Sequence, residues 1–164
     1  MKAWLGLGSN QRQPANQLSQ AIDRLADIDQ LDILRTSSFY CTPPWGDEQQ
    51  DDFINAVVEI ETSLDPNSLL RAIQSVENVM GRQRKDRRWG PRIIDIDLLL
   101  YGDLQYQSAD LEIPHPRMHE RAFVLVPLFD LDNSLEIPAL GKVEKLLQHL
   151  DCSGIQNLGR KAGG

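Results

Sequence analysis

Two aspartates set two residues apart, Asp95 and Asp97, interrupt the otherwise apolar run RIIDIDLLLYG (Arg92–Gly102). Residues at i and i+2 of a strand project from one face, about 6–7 Å apart along the chain. Asp95 and Asp97 are therefore expected side by side, with Ile94, Ile96, Leu98 and Leu100 filling the opposite, buried face. Ile93, Leu99 and Tyr101 would share the acidic face. Two carboxylates this close raise each other's pKa unless a cation lies between them. Mg²⁺ takes one or two carboxylates together with substrate phosphates, and two such ions about 3.5–4 Å apart can share one pair. The plainer reading is a solvated strand face with two ordinary surface acids. The apolar neighbours on that face count against it.

Just before the pair lies GRQRKDRRWGPR, Gly81 to Arg92. Six of the seventeen basic residues fall in it: Arg82, Arg84, Lys85, Arg87, Arg88 and Arg92. Two glycines, a proline and a tryptophan mark it as a loop. A solvated turn, a nucleic-acid patch and a polyphosphate clamp all fit such a run, although one interleaved aromatic is poor support for base stacking. Its position favours the clamp, because Arg92 stands three residues before Asp95. Guanidinium forks bind phosphate oxygens bidentately, and adjacent carboxylates would hold the metals those phosphates carry. Together they suit a magnesium nucleotide.

These groups need a scaffold, and the chain of 164 residues is long enough for one domain spanning 1–164. Lys2 to Gly8 reads as a buried strand closing in a tight turn at Gly8-Ser9-Asn10. Pro14 opens a helix with Leu18, Ile22, Leu25 and Ile28 on one stripe. Asp32 to Tyr40 reads as extended, and Phe53 to Glu61 alternates, with Ile54, Ala56, Val58 and Ile60 on one face. The next helix is punctuated by Asp65 as N-cap, Pro66 as first residue and Gly81 past its end. Leu69, Ile73, Val76 and Met80 form its core stripe, and Leu70, Gln74 and Glu77 share the neighbouring one. A short strand is expected near Leu104 to Gln107. Pro114, Pro116 and Pro127 predict short pieces, Val143 to Leu150 a last helix, and the tail from about 155 is expected to fray. The mixture predicts an α+β fold, helices packed on an antiparallel or mixed sheet.

The net charge of −7 argues against a general nucleic-acid binder. No apolar run approaches the roughly 20 residues of a membrane span. Cys41 and Cys152 lie far apart without a CxxC, so a reduced, cytoplasmic setting is expected. His115 and His119 stand four apart as zinc ligands can, but Pro116 intervenes and there is no HExxH; His115 as a phosphate donor is favoured. Arg121 adds charge beside it. Thr42-Pro43-Pro44-Trp45, Phe53, Asn55 and Phe123 read first as core and turn residues. They also could form a flat slot with an amide for a heterocycle edge.

GLGSN, SSFYCTPPWG, FINAV, GRQRKDRRWGPRIIDIDLLLYG and IPHPRMHERAFVLVPL together closely resemble the 6-hydroxymethyl-7,8-dihydropterin pyrophosphokinases of folate biosynthesis. The resemblance runs from Ala3 to about Leu128. It implies a ferredoxin-like fold, its mainly antiparallel central sheet flanked by helices on both faces. It also implies transfer of pyrophosphate from ATP to the pterin hydroxymethyl group, with release of AMP. By resemblance, Asp95 and Asp97 would bind two Mg²⁺ ions. Arg82, Arg92, His115 and Arg121 would hold phosphates or AMP, with Leu70, Gln74, Glu77 and Leu98 on the nucleotide side. Arg84 and Trp89 would belong to a closing loop; Arg82, Arg84, Trp89, Arg92 and Asp97 would serve catalysis. Thr42, Pro43, Pro44, Trp45, Phe53, Asn55 and Phe123 would form the pterin pocket, the two phenylalanines sandwiching the ring. Trp45, Phe53 and Pro116 depart from residues seen in other members, and Asp110 and Glu112 leave adenine contacts to backbone. A small-molecule enzyme acting as a monomer, without nucleic-acid or membrane partner, is the expectation. An RNA-binding module and a kinase moving only the γ-phosphate are its rivals.

Overall fold

Six strands meet in one sheet whose apolar faces need cover. The computed structural model describes residues 1–11, 13–42, 52–81 and 93–159. β1 (Lys2–Ser9) lies between β4 (Phe53–Thr62) and β5 (Asp95–Tyr101), and β4 also pairs with β2 (Leu31–Thr36) and β3 (Phe39–Thr42). Every pairing is antiparallel. α1 (Pro14–Ala26) connects β1 to β2, and α2 (Pro66–Val79) connects β4 to β5. Each crossover skips one strand, the split arrangement of a ferredoxin-like sheet.

The two faces bury different helices. Leu18, Leu25, Leu69 and Ile73 of α1 and α2 pack on Leu5, Ala56, Val58, Ile60, Ile96 and Leu98. Burying each such side chain stabilises the fold by about 1.5–3 kcal/mol. On the other face Val124, Leu125, Leu128 and Leu131 of α3 (Ala122–Leu131) pack on Trp4, Val57, Leu99 and Leu100, joined by Val143 of α4 (Val143–Leu147). Helices thus cover both faces, and none described is long and apolar enough to cross a membrane.

Two features fix α3 and its strand neighbours. Arg35 of β2 donates Nε and Nη2 to the carboxylate of Glu59 at 3.0 and 2.9 Å, and Nη1 to the Leu131 carbonyl at 2.6 Å. Glu59 is buried, so this fork ties β4 to the end of α3. Asp130 of α3 accepts from the Ser38 N–H at 2.8 Å and the Tyr40 hydroxyl at 3.1 Å.

Several expectations need correction. Pro127 does not end a helix; it sits inside α3. It removes one N–H, and the burial of Val124, Leu125, Leu128 and Leu131 outweighs that loss. The last helix is shorter than expected, ending at Leu147. Two small hairpins follow β5, β6 (Tyr106–Gln107) with β7 (Glu112–Ile113) and β8 (Glu136–Ile137) with β9 (Gly141–Lys142). Residues 156–159 are not frayed: β10 (Gln156–Gly159) pairs with β3 at the sheet edge. Gly8-Ser9 is no turn, because β1 runs through Ser9. The acidic strand also departs from simple alternation. Leu5 opposes Leu98 while Trp4 opposes Leu100, so Leu99 is an extra residue in a β-bulge. Leu99 and Leu100 both turn toward α3, and Tyr101 joins the opposite core, its hydroxyl donating to the Leu64 carbonyl at 2.6 Å. Leu100 therefore leaves the face of Ile96 and Leu98, and Tyr101 leaves that of Asp95 and Asp97.

Candidate active site

Antiparallel register places directly opposed side chains on the same face. Gly8 opposes Asn55 on β4 and Asp95 on β5; Gly6 opposes Val57 and Asp97. Two rows therefore cross the three strands, each with a glycine at its centre. The floor between the carboxylates and β4 carries no side chain of its own, and only neighbouring ones reach over it, Leu99 beside Gly6 and Asn55 beside Gly8. A cavity of about 1120 Å³ stands over it, lined by Gly6, Gly8, Asn55, Asp95 and Asp97. Thr42 at the end of β3 and Phe53 at the start of β4 form one wall, and Ala122 and Phe123 at the start of α3 roof it.

The acidic strand is held from its outer edge, where no described strand pairs with it. Glu77 of α2, buried, accepts the Ile96 N–H at 2.8 Å, between the two aspartates in sequence. The His115 N–H donates to the Leu99 carbonyl at 2.9 Å. Ser9 hydrogen-bonds the Ile93 carbonyl and closes the inner end. Asp95 is half-buried and Asp97 exposed. Neither carboxylate is sunk in the core, because the greasy residues of the run serve the two packed faces.

His115 has a defined proton. Its Nδ1 accepts the Arg117 backbone N–H at 3.3 Å, so the neutral ring carries its hydrogen on Nε2 as a donor. Burial holds its pKa below the ordinary value of 6.5; Asp97 and Glu112 oppose that shift, while Arg121 and Arg117 reinforce it. A base with a depressed folded pKa is protonated first in the unfolded chain. His115 thus lends stability above about pH 6.5, lost as pH falls through its folded pKa. In an NMR titration of the metal- and ligand-free protein its midpoint is expected below 6.5; a midpoint above that value contradicts the assignment.

Of the residues singled out by sequence, Thr42, Phe53, Asn55, Asp95, Asp97, Arg121 and Phe123 come together around this cavity. The Arg121 guanidinium lies over the Phe123 ring, 5.6 Å from its centroid. Leu70 and Gln74 lie on α2 outside the lining, Leu70 half-buried and Gln74 exposed. The Leu98 side chain is in the core. Pro43, Pro44, Trp45, Arg82, Arg84, Trp89 and Arg92 lie outside the described residues. His115 and His119 share no helix face, since only Met118–Glu120 forms a single 3₁₀ turn. Among the described residues no group of three or more His, Cys, Asp or Glu side chains is placed to hold a metal.

Sequence reasoning missed part of the lining. Arg117 and Glu120 contribute from the segment before α3, and Leu150, Asp151 and Ser153 to Ile155 from the segment leading into β10. The basic residue in HPRMHER was a usable signal for Arg117. Nothing in LDCSGIQ signalled a wall, because its placement depends on the pairing of β10 with β3.

Comparison with known proteins agrees with this architecture. The family model for 7,8-dihydro-6-hydroxymethylpterin-pyrophosphokinase matches residues 4–133. A Methylorubrum extorquens protein named 2-amino-4-hydroxy-6-hydroxymethyldihydropteridine pyrophosphokinase is 45% identical over 157 residues, 96% of this chain and 98% of that protein. The Haemophilus influenzae protein of the same name is 45% identical over 136 residues, covering 83% of this chain and 84% of its own. The fold is similar to wild-type Plasmodium falciparum HPPK-DHPS with pteroate, at TM-score 0.70 and 19% identity over 90% of this chain. That match spans 42% of the longer Plasmodium chain and concerns the fold alone. With strand order, cavity and relatives in accord, the chain belongs to the 7,8-dihydro-6-hydroxymethylpterin-pyrophosphokinase family.

Proposed function

We propose that this chain transfers the pyrophosphoryl group of ATP to the hydroxymethyl oxygen of 6-hydroxymethyl-7,8-dihydropterin, releasing AMP. The observation that carries this reading is a cavity that joins the paired carboxylates to an aromatic and amide pocket across a floor of two glycines. A new bond forms from the hydroxymethyl oxygen to the β-phosphorus as that oxygen gives up its proton to water, and the bond from that phosphorus to the oxygen bridging to the α-phosphate breaks, AMP leaving with the bridging oxygen. Such a step depends on charge neutralisation and on holding the reactants in line.

Phe53 and Phe123 offer faces to the ring, and Thr42 and Asn55 offer polar edges. Asp95 and Asp97 are an all-oxygen donor pair, suited to Mg²⁺ that arrives with a polyphosphate and takes its remaining ligands from it. When bound there, magnesium would neutralise charge on the transferring phosphates. His115 presents its Nε2–H and Arg121 its guanidinium to phosphate oxygens. Arg82, Arg84, Trp89 and Arg92 would close the site, with Pro43, Pro44 and Trp45 completing the pterin pocket.

Glu77 acts by orienting the acidic strand, whatever it contributes toward the nucleotide. Residues at i and i+2 point their backbone groups the same way, so Leu98, two beyond Ile96, directs its N–H and C=O to the open strand edge. An adenine contact at Leu98 would fall on those groups. Gln74 and Leu70 would flank that edge from α2. The substrates are small molecules, and we take the enzyme as a single-domain monomer of the cytoplasm without nucleic-acid or membrane partners.

The test is the identity of the nucleotide product. Equimolar AMP and pterin diphosphate are expected on incubation with ATP, magnesium and the reduced pterin. ADP would assign an ordinary kinase, and unconsumed ATP with salt-sensitive RNA binding would assign the binding module.

A further inference from the structure

Asn55 is buried to 7% exposure yet faces the cavity. Its Nδ2 donates to the Thr42 hydroxyl at 3.4 Å, which leaves Oδ1 as an acceptor to which no described residue donates. That oxygen rests directly over Gly8 of the neighbouring strand. A Cβ on Gly8 would stand 2.6 Å from Oδ1, inside any allowed contact, and 3.7 Å from its Cγ. The same carbon would meet little else, the next atom being the Ile54 carbonyl oxygen at 3.9 Å. Gly6 differs: the nearest atoms to a Cβ there belong to the flexible Leu99 side chain, the first at 3.3 Å.

We infer that Gly8 is a positioning residue for the pterin, acting through Asn55. The missing side chain lets the Asn55 carboxamide lie flat across β1, with Oδ1 presented to a ring edge bearing N–H donors, such as the aminopyrimidinone edge of a pterin. Gly8 is also the central member of the row Asn55–Gly8–Asp95. Strands lie about 4.8 Å apart, so the backbones of Asn55 and Asp95 stand roughly 10 Å apart, and the glycine between them leaves that space to the Asn55 carboxamide. The inference rests on the functional reading above and names what sets its substrate geometry.

The collision involves the far end of a side chain, so relief by rotation of Asn55 is cheap for folding and costly for recognition. Gly8→Ala is expected to raise KM for the pterin about tenfold, the worth of one well-placed hydrogen bond. Affinity for a non-hydrolysable ATP analogue with magnesium should stay within about twofold of wild type by the same scale. In an Asn55→Ala background, where the colliding oxygen is gone, adding Gly8→Ala should raise KM less than about twofold. Should the single variant fail to fold, a folded double variant upholds the collision and an unfolded one overturns it. An unchanged pterin KM, or an equal rise in both backgrounds, also overturns it. Wild-type turnover is the reference: a wild type that leaves the pterin untouched removes the functional reading and this inference together, whereas an active wild type with an indifferent Gly8→Ala removes this inference alone.

Discussion

Asp97→Ala is expected to lower turnover by about 10²–10³-fold, the range for losing one preorganised charge-stabilising group. Pterin affinity should stay within about threefold. The split follows from where the residue stands. Asp97 opposes Gly6 on the trough, one row away from Asn55 and Gly8, so its removal leaves the ring-recognising row untouched. Its side chain is exposed and belongs to neither core cluster, and the neighbouring Ile96 N–H remains held by Glu77. The fold should therefore survive, and the loss should fall on the step that needs magnesium and phosphates beside this strand. A second readout is independent of turnover. Asp97 is the first of the groups that raise the His115 pKa against burial. Without it, the His115 midpoint should move further below 6.5 in the ligand-free protein. Rapid-quench turnover with magnesium, pterin binding by fluorescence and the histidine titration together decide the matter. Near-normal turnover would remove Asp97 from the reaction, and a fixed histidine midpoint would separate the two side chains.

The parts of this site that were legible in sequence share one property: a local pattern determines them. Ile54, Ala56, Val58 and Ile60 all reach the core they were expected to fill, because a ten-residue strand with a fixed period leaves one arrangement. Asp65 caps α2 through the Ser68 N–H, and Gly81 takes φ 101 just past its end, as the punctuation required. The proximity of Asp95 and Asp97 also followed from their spacing. What was not legible depends on partners remote in sequence. The Leu99 bulge is a mismatch between β5 and β1, invisible in β5 alone, and it reverses Leu100 and Tyr101. In sequence Gly8 reads as the start of a tight turn, Gly8-Ser9-Asn10, because glycine and asparagine suit turns. Its role emerges only when Asn55 and Asp95 are seen to flank it. β10 is largely exposed and carries no alternating apolar pattern, so only the available edge of β3 explains it. Pro127 reads in sequence as a breaker, an effect the burial of α3 overrides.

Among the polar contacts that keep the roof over the floor, the fork of Arg35 has the largest expected effect on stability. Arg35→Ala should lower unfolding free energy by about 3 kcal/mol, the low end of the range for breaking a buried ion pair from one side. The low end applies because 46% of the Arg35 side chain is exposed, so water can reach part of the space it vacates; Glu59 itself is only 3% exposed. Truncation leaves a buried carboxylate without its two charge-assisted bonds and the Leu131 carbonyl without its donor. The functional consequence travels along α3. Leu131 ends the helix whose first turn carries Phe123 into the cavity, so loosening one end lets the roof shift at the other. Pterin KM should rise while nucleotide affinity, set on β5 and α2, stays closer to wild type. Glu59→Gln separates charge from packing: it retains an acceptor for Arg35 and should cost less than Arg35→Ala. Urea unfolding of the three proteins checks the order. If Arg35→Ala unfolds at the wild-type midpoint, the fork is a surface contact and the roof is held by apolar packing alone.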